Sequence, residues 1–192
     1  MKTRRALREA LLDLIEEKGL DRVTVKALCE RADLNRGTFY LHYRDVYDLL
    51  EQYTDDVLAG FHDIVATIDA RDMLRYEAMG EPYPGFVRTL EYIRDHARFF
   101  RLMMGPKGDP VFVNKLNDKL QQRMSGRLRE LGIQPPAGVP WDYLAAFLAR
   151  AHLGVIQHWV ETGTVESPRN LALFITRIYT QGVTGIMGIT PK

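Results

Sequence analysis

Apolar side chains recur along this chain at intervals of three and four residues, and no segment shows a sustained alternation of apolar and polar positions. A three-four interval places side chains on one face of an α-helix, whereas a half-buried strand requires alternation. The pattern therefore predicts an all-α protein. Helices are predicted at about 3–18, 25–32, 36–40, 46–68, 86–104, 112–128, 141–162 and 168–187.

Residues that favour turns separate the predicted helices. The segments GEPYPG (80–85), GPKGDP (105–110) and GIQPPAGVP (132–140) combine glycine with proline, and both residues interrupt helices. Three helices precede the long fourth one, so the pattern predicts a small front unit of three helices and a larger helical bundle behind it.

The second and third predicted helices are short and are joined by the tight turn ADLN (32–35). Two such helices form a helix-turn-helix, in which the second helix enters the major groove of DNA. Thr24, Asn35 and Asp45 are suited to cap the second, third and fourth helices. Phe39 is expected to point inward and hold the third helix on the second.

The segment LNRGTFYLHYRD (34–45) supplies the side chains that a groove-reading helix needs. Arg36 is the side chain best able to reach guanine with two hydrogen bonds, while Asn35 and Leu41 are weaker candidates for base contact. Gly37 leaves room for a close approach of the backbone. The candidates for phosphate contact are Thr38, Tyr40 and His42 on the third helix, Thr24 and Lys26 at the second, and Arg44 beside the fourth.

The net charge of the whole chain does not indicate DNA binding, but the charge of its first 44 residues does. The chain holds 26 basic and 25 acidic side chains, but the opening MKTRRALR contains no acid, and residues 1–44 hold ten basic against seven acidic side chains. A local positive excess attracts polyanions. Many small helical domains also contain two short helices and a turn, so spacing alone leaves open a helical module that grips protein instead of DNA.

The segment GLDRVTVKALCERADLNRGTFYLHYRDVYDLL (19–50) resembles the DNA-binding domain of the TetR/AcrR family of bacterial transcriptional regulators. The string Gly-Thr-aromatic-Tyr-x-His-aromatic of that family occupies 37–43, and Thr24 and Leu49 match further positions. Members usually carry a phosphate-binding lysine just after the cap of the fourth helix, where this chain has Val46. Arg44 is the residue that would compensate.

The rear segment HLGVIQHWVETGTVESPRNLALFI, with Trp159 and Gly163, resembles the C-terminal region of a Gram-positive branch of the same family. The resemblance implies about nine helices, with a DNA-binding domain at 1–46 and a ligand-binding and dimerisation domain at 47–192. It also implies a homodimer paired through the last two long helices. The helix at 141–162 is apolar on more than one face, which fits either a dimer interface or the centre of a monomer.

The resemblance further implies a small hydrophobic or aromatic effector bound in the rear bundle. Taken singly, each aromatic, Met or His side chain there is more typical of a core, although polar groups in an apolar pocket also orient ligands. The candidate lining consists of Phe61, Phe86, Tyr92, His96, Phe99, Phe100, Met103, Met124, Phe147, His152 and Trp159.

Other classes of function lack the patterns they need. The chain has five histidines and one cysteine, and it contains no His-x-x-x-His, Gly-x-Ser-x-Gly, Gly-Lys-Ser/Thr loop or Gly-x-Gly-x-x-Gly motif. We therefore expect no catalytic residue, metal or cofactor. No segment is long and apolar enough for a membrane span, and the single Cys29 fits a reducing compartment, so we expect a cytoplasmic protein.

The sequence thus predicts a dimeric regulator that binds an inverted repeat in double-stranded DNA and responds to an effector. We favour a repressor. The alternatives are an activator of the same fold and a helical interaction or co-regulator module without a small ligand.

Overall fold

The computed structural model describes residues 2–109, 111–130, 138 and 140–188, and every regular element in these residues is helical. The all-α prediction is confirmed, with ten α-helices in the described residues where about nine were expected. They are α1 (Lys2–Lys18), α2 (Val25–Ala32), α3 (Arg36–Tyr40), α4 (Val46–Ala66), α5 (Ala70–Ala78), α6 (Pro84–Asp95), α7 (Ala97–Met104), α8 (Phe112–Glu130), α9 (Trp141–Glu161) and α10 (Pro168–Ile186), and a 3₁₀ helix spans Leu20–Arg22.

Side-chain caps fix where three of the front helices begin. Thr24, Asn35 and Asp45 each accept a hydrogen bond from a backbone N–H two or three residues later, at 3.2, 2.9 and 2.8 Å. Such a bond satisfies a donor that the first turn of a helix leaves without a partner. The three predicted caps are confirmed, and Gly19 follows α1 with the positive φ of 84° that favours glycine.

The single helix predicted over 86–104 is wrong, because the chain breaks at His96 into α6 and α7. The backbone of His96 is not helical (φ −113°, ψ 20°). Its imidazole Nδ1 donates to the carbonyl oxygen of Tyr92 at 2.9 Å, and its ring stacks on that of Tyr92 at 4.3 Å. A side chain that takes a carbonyl of the preceding turn competes with the backbone ladder, and the apolar spacing on either side does not reveal it.

Two compact groups of residues divide the chain. The first unit contains residues 1–42 and 98–163, in which α1 packs on α2, α2 packs on α3, and α8 packs on α9. The second unit contains residues 43–97 and 164–192, in which α6 packs on α4 and α10, and α5 packs on α10. The predicted domain boundary at residue 46 stays a prediction.

Hydrogen bonds of Tyr83 link separate segments of the second unit. The backbone N–H of Tyr83 donates to the hydroxyl of Thr176 at 3.1 Å, and the Tyr83 hydroxyl accepts from the N–H of Asp69 at 2.8 Å. Helix α10 is kinked at Gly182, which has φ 69° and ψ 173°.

Of the predicted loop 132–140, only Gly138 and Pro140 are among the described residues. None of the helices that the structure describes combines the length and the apolar character needed to cross a bilayer.

Candidate nucleic-acid interface

Helix α3 is fixed from beneath by the core of the first unit. Phe39 and Leu28 are fully buried, and the N–H of Leu34 donates to the carbonyl of Cys29 at 2.9 Å across the turn. Asp33 turns the chain in a left-handed conformation (φ 53°), which aspartate tolerates better than most residues. The expectation that Phe39 points inward is confirmed, so the opposite side of α3 is left for a partner.

The outer side of α3 presents most of the predicted contact residues. Arg36, Gly37 and Tyr40 are exposed, and the Tyr40 side chain is 58% accessible. Thr38 and His42 are half-buried. The exposed part of this short helix therefore offers a guanidinium and a phenol. Thr38 on the helix and His42 just beyond it add a hydroxyl and an imidazole that are partly accessible.

Asn35 already has a structural role, because its side-chain oxygen accepts the hydrogen bond from Gly37 that begins α3. At the start of α2, the exposed Thr24 likewise caps the helix. The Lys26 ammonium lies 3.8 Å from Glu30, and both side chains are mostly exposed. Such an exposed pair contributes little stability, so Lys26 can exchange Glu30 for a phosphate.

At the start of α4, in the second unit, the expected phosphate ligand Arg44 is paired with an acidic side chain. The Arg44 guanidinium is 83% exposed and lies 3.3 Å from the Asp48 carboxylate, which also accepts the Arg44 backbone N–H at 2.8 Å. That N–H, followed by the Gln52 side chain, holds the pKa of Asp48 below its usual range. Val46 is buried and apolar, so it offers no polar group to a phosphate.

A groove of about 360 Å³ lies beside the helix-turn-helix turn and is lined by Lys26, Cys29, Glu30, Asp33, Leu34, Asn35 and Arg36. Cys29 is buried, and burial raises the pKa of its thiol despite the nearby Arg36 guanidinium. A thiol in that state is a poor nucleophile, so Cys29 acts as a small core residue.

Helix α1 carries acidic side chains that bind basic residues of α7. Arg98 lies 2.6 Å from Asp13 and 2.9 Å from Glu16, and Arg101 lies 2.8 Å from Glu16. The turn after α7 adds two further bonds, since Lys107 donates to the Glu16 carbonyl at 2.7 Å and its own carbonyl accepts from the N–H of Leu20 at 3.0 Å.

A third arginine links α1 to the helix-turn-helix itself. Arg31 of α2 lies 2.8 Å from Glu17 and 3.4 Å from Asp13. Sequence reasoning missed these ion pairs, although the acids at 9, 13, 16 and 17 fall on one face of α1 at three-four spacing. That acidic face was the signal for basic partners.

Seven of the candidate effector-lining residues belong to the first unit. Phe99, Phe100 and Met103 are each 1% exposed, and the Phe99 ring is 5.7 Å from both Phe100 and Phe112 in edge-to-face contact, which is the packing of a filled core. Trp159 is buried as well, and Met124 is half-buried. Phe147 is 64% exposed and is not brought together with the buried candidates.

His152 is the polar candidate of the first unit. Its Nδ1 donates to the Leu148 carbonyl at 2.7 Å, which makes Nε2 the acceptor in the neutral ring. Burial lowers the pKa of this imidazole, so the neutral form predominates at pH 7.

The other four candidates belong to the second unit. Phe61 and Phe86 are buried, and the Phe86 ring contacts that of Tyr179 at 5.7 Å. The Tyr92 hydroxyl donates to the Val57 carbonyl at 2.8 Å, and His96 stacks on its ring. An open groove of about 440 Å³ in the same unit is lined instead by Glu77, Ala78, Gly80, Leu173, Arg177, Gln181, Gly185 and Ile186.

Comparison with known proteins decides the class of this chain. A family model described as "Bacterial regulatory proteins, tetR family" matches residues 7–53, and one described as "Transcriptional regulator C-terminal region" matches residues 80–181. The chain belongs to the TetR family. Both resemblances read from the sequence are confirmed. The descriptions of both family models are those of bacterial regulatory proteins and of the C-terminal region of a transcriptional regulator.

Individual relatives agree with the assignment. The HTH-type transcriptional regulator YxbF of Bacillus subtilis (strain 168) is 23% identical over 175 residues, which are 91% of this chain. The chain spans only 44% of the length of that relative.

Two solved structures share the fold of this TetR-family chain. The fatty acid degradation regulator FadR from Bacillus halodurans is 12% identical, with a TM-score of 0.67 over 95% of this chain and 97% of that one. A TetR transcriptional regulator from Streptococcus agalactiae 2603V is 23% identical, with a TM-score of 0.62 over 94% and 93% of the two chains.

Proposed function

We propose that this TetR-family protein is a homodimeric repressor that binds an inverted-repeat operator through α3 and leaves it when a small effector binds. In this proposal residues 1–46 read DNA, and residues 47–192 bind the effector and form the dimer. The observation that carries the proposal is the exposed side of α3, which presents Arg36, Gly37 and Tyr40 while Phe39 anchors the helix in the core.

The proposed contacts follow from the chemistry of each side chain. Arg36 can give two parallel hydrogen bonds to guanine, and the side-chain amide of Asn35 can add a base contact next to it. Thr24, Lys26, Thr38, Tyr40, His42 and Arg44 are proposed to bind phosphate oxygens, and these bonds fix the register of α3 in the groove. Arg44 would exchange Asp48 for a phosphate, which compensates for the buried Val46.

An exposed apolar face on α9 supports the dimer. Tyr143 and Phe147 are 74% and 64% exposed, and Ala151 and Gly154 follow on the same face. A Cβ at Gly154 would have no neighbour within 4 Å, so packing within the chain does not explain a glycine in the middle of a helix. The close approach of a second copy explains both the bare backbone and the exposed rings.

On α10, Phe174 and Val183 are also exposed, at 42% and 56%. A single short reading helix covers only a few base pairs, and a two-fold dimer doubles that contact. We therefore propose that both closing helices meet their counterparts in a second subunit. Phe147 is better suited to that interface than to an effector pocket.

The effector is proposed to be small and hydrophobic or aromatic, because the candidate residues around it are mainly aromatic. His152 and the Tyr92–His96 pair supply polar groups that could orient it. The filled packing around Phe99 means that a ligand there must displace side chains. An effector changes the spacing of the two reading heads only to the extent that it binds one spacing more tightly than the other.

The test is DNA binding by fluorescence anisotropy between about 50 and 200 mM salt, where the affinity of a protein with several phosphate contacts falls steeply. Lys26→Ala should weaken binding to all duplexes equally and reduce the salt slope by about one per subunit. Arg36→Ala should relax the preference for one base pair, by about 1–3 kcal/mol. Lys119→Ala, at an exposed lysine of α8, is the matched control. Unchanged binding by both the Lys26 and Arg36 variants would overturn the assignment of α3.

A further inference from the structure

Leu41, directly after α3, is the most exposed of the large apolar side chains that the structure describes in the first unit, at 81%. A single exposed leucine is ordinary on a protein surface. This one caps the C-terminal end of the reading helix, whose last residue, Tyr40, is also exposed. An isolated surface leucine would need no explanation, but a leucine at this position does.

Leu41 shares a face of the helix with Gly37. The N–H of Leu41 donates to the Gly37 carbonyl at 3.2 Å, which places the two residues one turn apart. A Cβ at Gly37 would have the Asn35 side-chain oxygen as its nearest neighbour, at an ordinary 3.6 Å. The protein itself therefore does not require a glycine here. Gly37 and Leu41 together form an exposed strip without polar side-chain atoms, which we call the Gly37–Leu41 face.

The chemistry of the major groove limits what this face can read. Base edges present hydrogen-bond donors and acceptors there, and the one apolar group is the 5-methyl of thymine. A leucine side chain can form no hydrogen bond with a base or a phosphate, so its burial against polar edges is unfavourable. Contact with a methyl group removes apolar surface of both partners from water.

We propose that the Gly37–Leu41 face reads the 5-methyl group of one thymine in each half-site of the operator, with Leu41 as the residue that determines this preference. The inference rests on the proposed function, because it requires α3 to lie in the major groove. Gly37 lets the backbone come close, and Leu41 then covers the methyl group. Arg36 and Leu41 thereby recognise different bases by different chemistry.

The test compares thymine with uracil, which keeps every hydrogen-bonding group and lacks only the methyl. A duplex selected by the wild-type protein is remade with each thymine replaced in turn by deoxyuridine. For the wild type, one position in each half-site should lose about fourfold in affinity, the factor expected for one buried methyl group. For Leu41→Ala, the thymine and uracil duplexes should bind equally at that position.

Leu74→Ala is the matched control, since Leu74 of α5 is also an exposed leucine (64%), and it should keep the wild-type ratio. Thermal unfolding verifies that each variant is folded. The inference is overturned if Leu41→Ala keeps the fourfold ratio, or if the wild type binds its selected duplex with no methyl dependence at any position. If the folded wild type binds no duplex at low salt, the proposed function fails as well. Binding without methyl dependence contradicts only the role of Leu41, so the two failures can be distinguished.

Discussion

At Gly37, the stability of α3 and the proposed close approach of DNA favour different residues. Alanine is favoured over glycine in a helix by up to about 1 kcal/mol, and the site has room for a methyl group. A glycine is nevertheless present on the exposed side of α3. We propose that the free protein gives up this stability because the bound complex needs bare backbone at Gly37.

Gly37→Ala should therefore stabilise the free protein by up to about 1 kcal/mol while it lowers affinity for the operator by about tenfold or more. Thermal unfolding and anisotropy measure the two effects. Gly126→Ala is the control, because a Cβ at Gly126 in α8 would likewise meet no clash, with no neighbour within 4 Å. That variant should gain stability and keep its affinity. A Gly37→Ala protein that binds as tightly as the wild type would show that DNA does not approach this face.

Residue types revealed the caps of α2, α3 and α4 in advance, because Thr, Asn and Asp before an apolar repeat act through local hydrogen bonds. Local sequence does not predict which side chains are buried by distant parts of the chain. Nothing in the sequence around Phe147 distinguishes an exposed ring from a buried one. The sequence therefore groups Phe147 with aromatic residues that are buried in the structure, whereas Phe147 is exposed. Exposure depends on which other helices cover a face.

At the scale of elements, α1 is held to its neighbours by charge as well as by its apolar stripe. Hydrogen bonds from the side chains of Arg101 and then Arg98 hold the pKa of Glu16 below its usual value of 4.5. A hydrogen bond from Arg31 does the same for Glu17. A carboxylate with a lowered pKa in the folded state stabilises the fold above pH 4.5, and that contribution is lost as the pH falls through the folded-state pKa.

The melting temperature should accordingly fall as the pH is lowered below about 4.5, and the fall should be shallower in Glu16→Gln, which cannot titrate. Differential scanning calorimetry from pH 7 to pH 3 measures this profile. Glu91→Gln, an exposed glutamate of α6, is the control and should follow the wild-type profile. A Glu16→Gln profile parallel to that of the wild type would mean that the pairing of Glu16 with Arg98 and Arg101 contributes no proton-linked stability.

Element types were predictable wherever apolar spacing was strong, as in α4, α8, α9 and α10. Helix α5 was not predicted, because its described side chains include one buried apolar residue, Met73, while Leu74 is 64% exposed. The break at His96 also depended on a side-chain hydrogen bond, which leaves no trace in hydrophobic spacing.

At the scale of the whole molecule, the proposed dimer gives the exposed rings of α9 a partner. Phe147→Asp would place a charge in that interface, and burial of an unpaired charge is strongly unfavourable. We expect this variant to sediment with the mass of one chain, where the wild type sediments with twice that mass. Leu74→Asp replaces an equally exposed residue of α5 and should remain dimeric. A Phe147→Asp dimer would move the interface away from this face of α9.

The central claim is that two copies of α3 read DNA sequence together. Selection of bound duplexes from a random library by the purified protein, followed by sequencing, tests it most directly. The predicted result is an enriched inverted repeat whose half-sites lie about 34–36 Å apart, or a multiple of that distance. Enrichment of a single unrepeated site, or none from the folded protein at low salt, would contradict the claim.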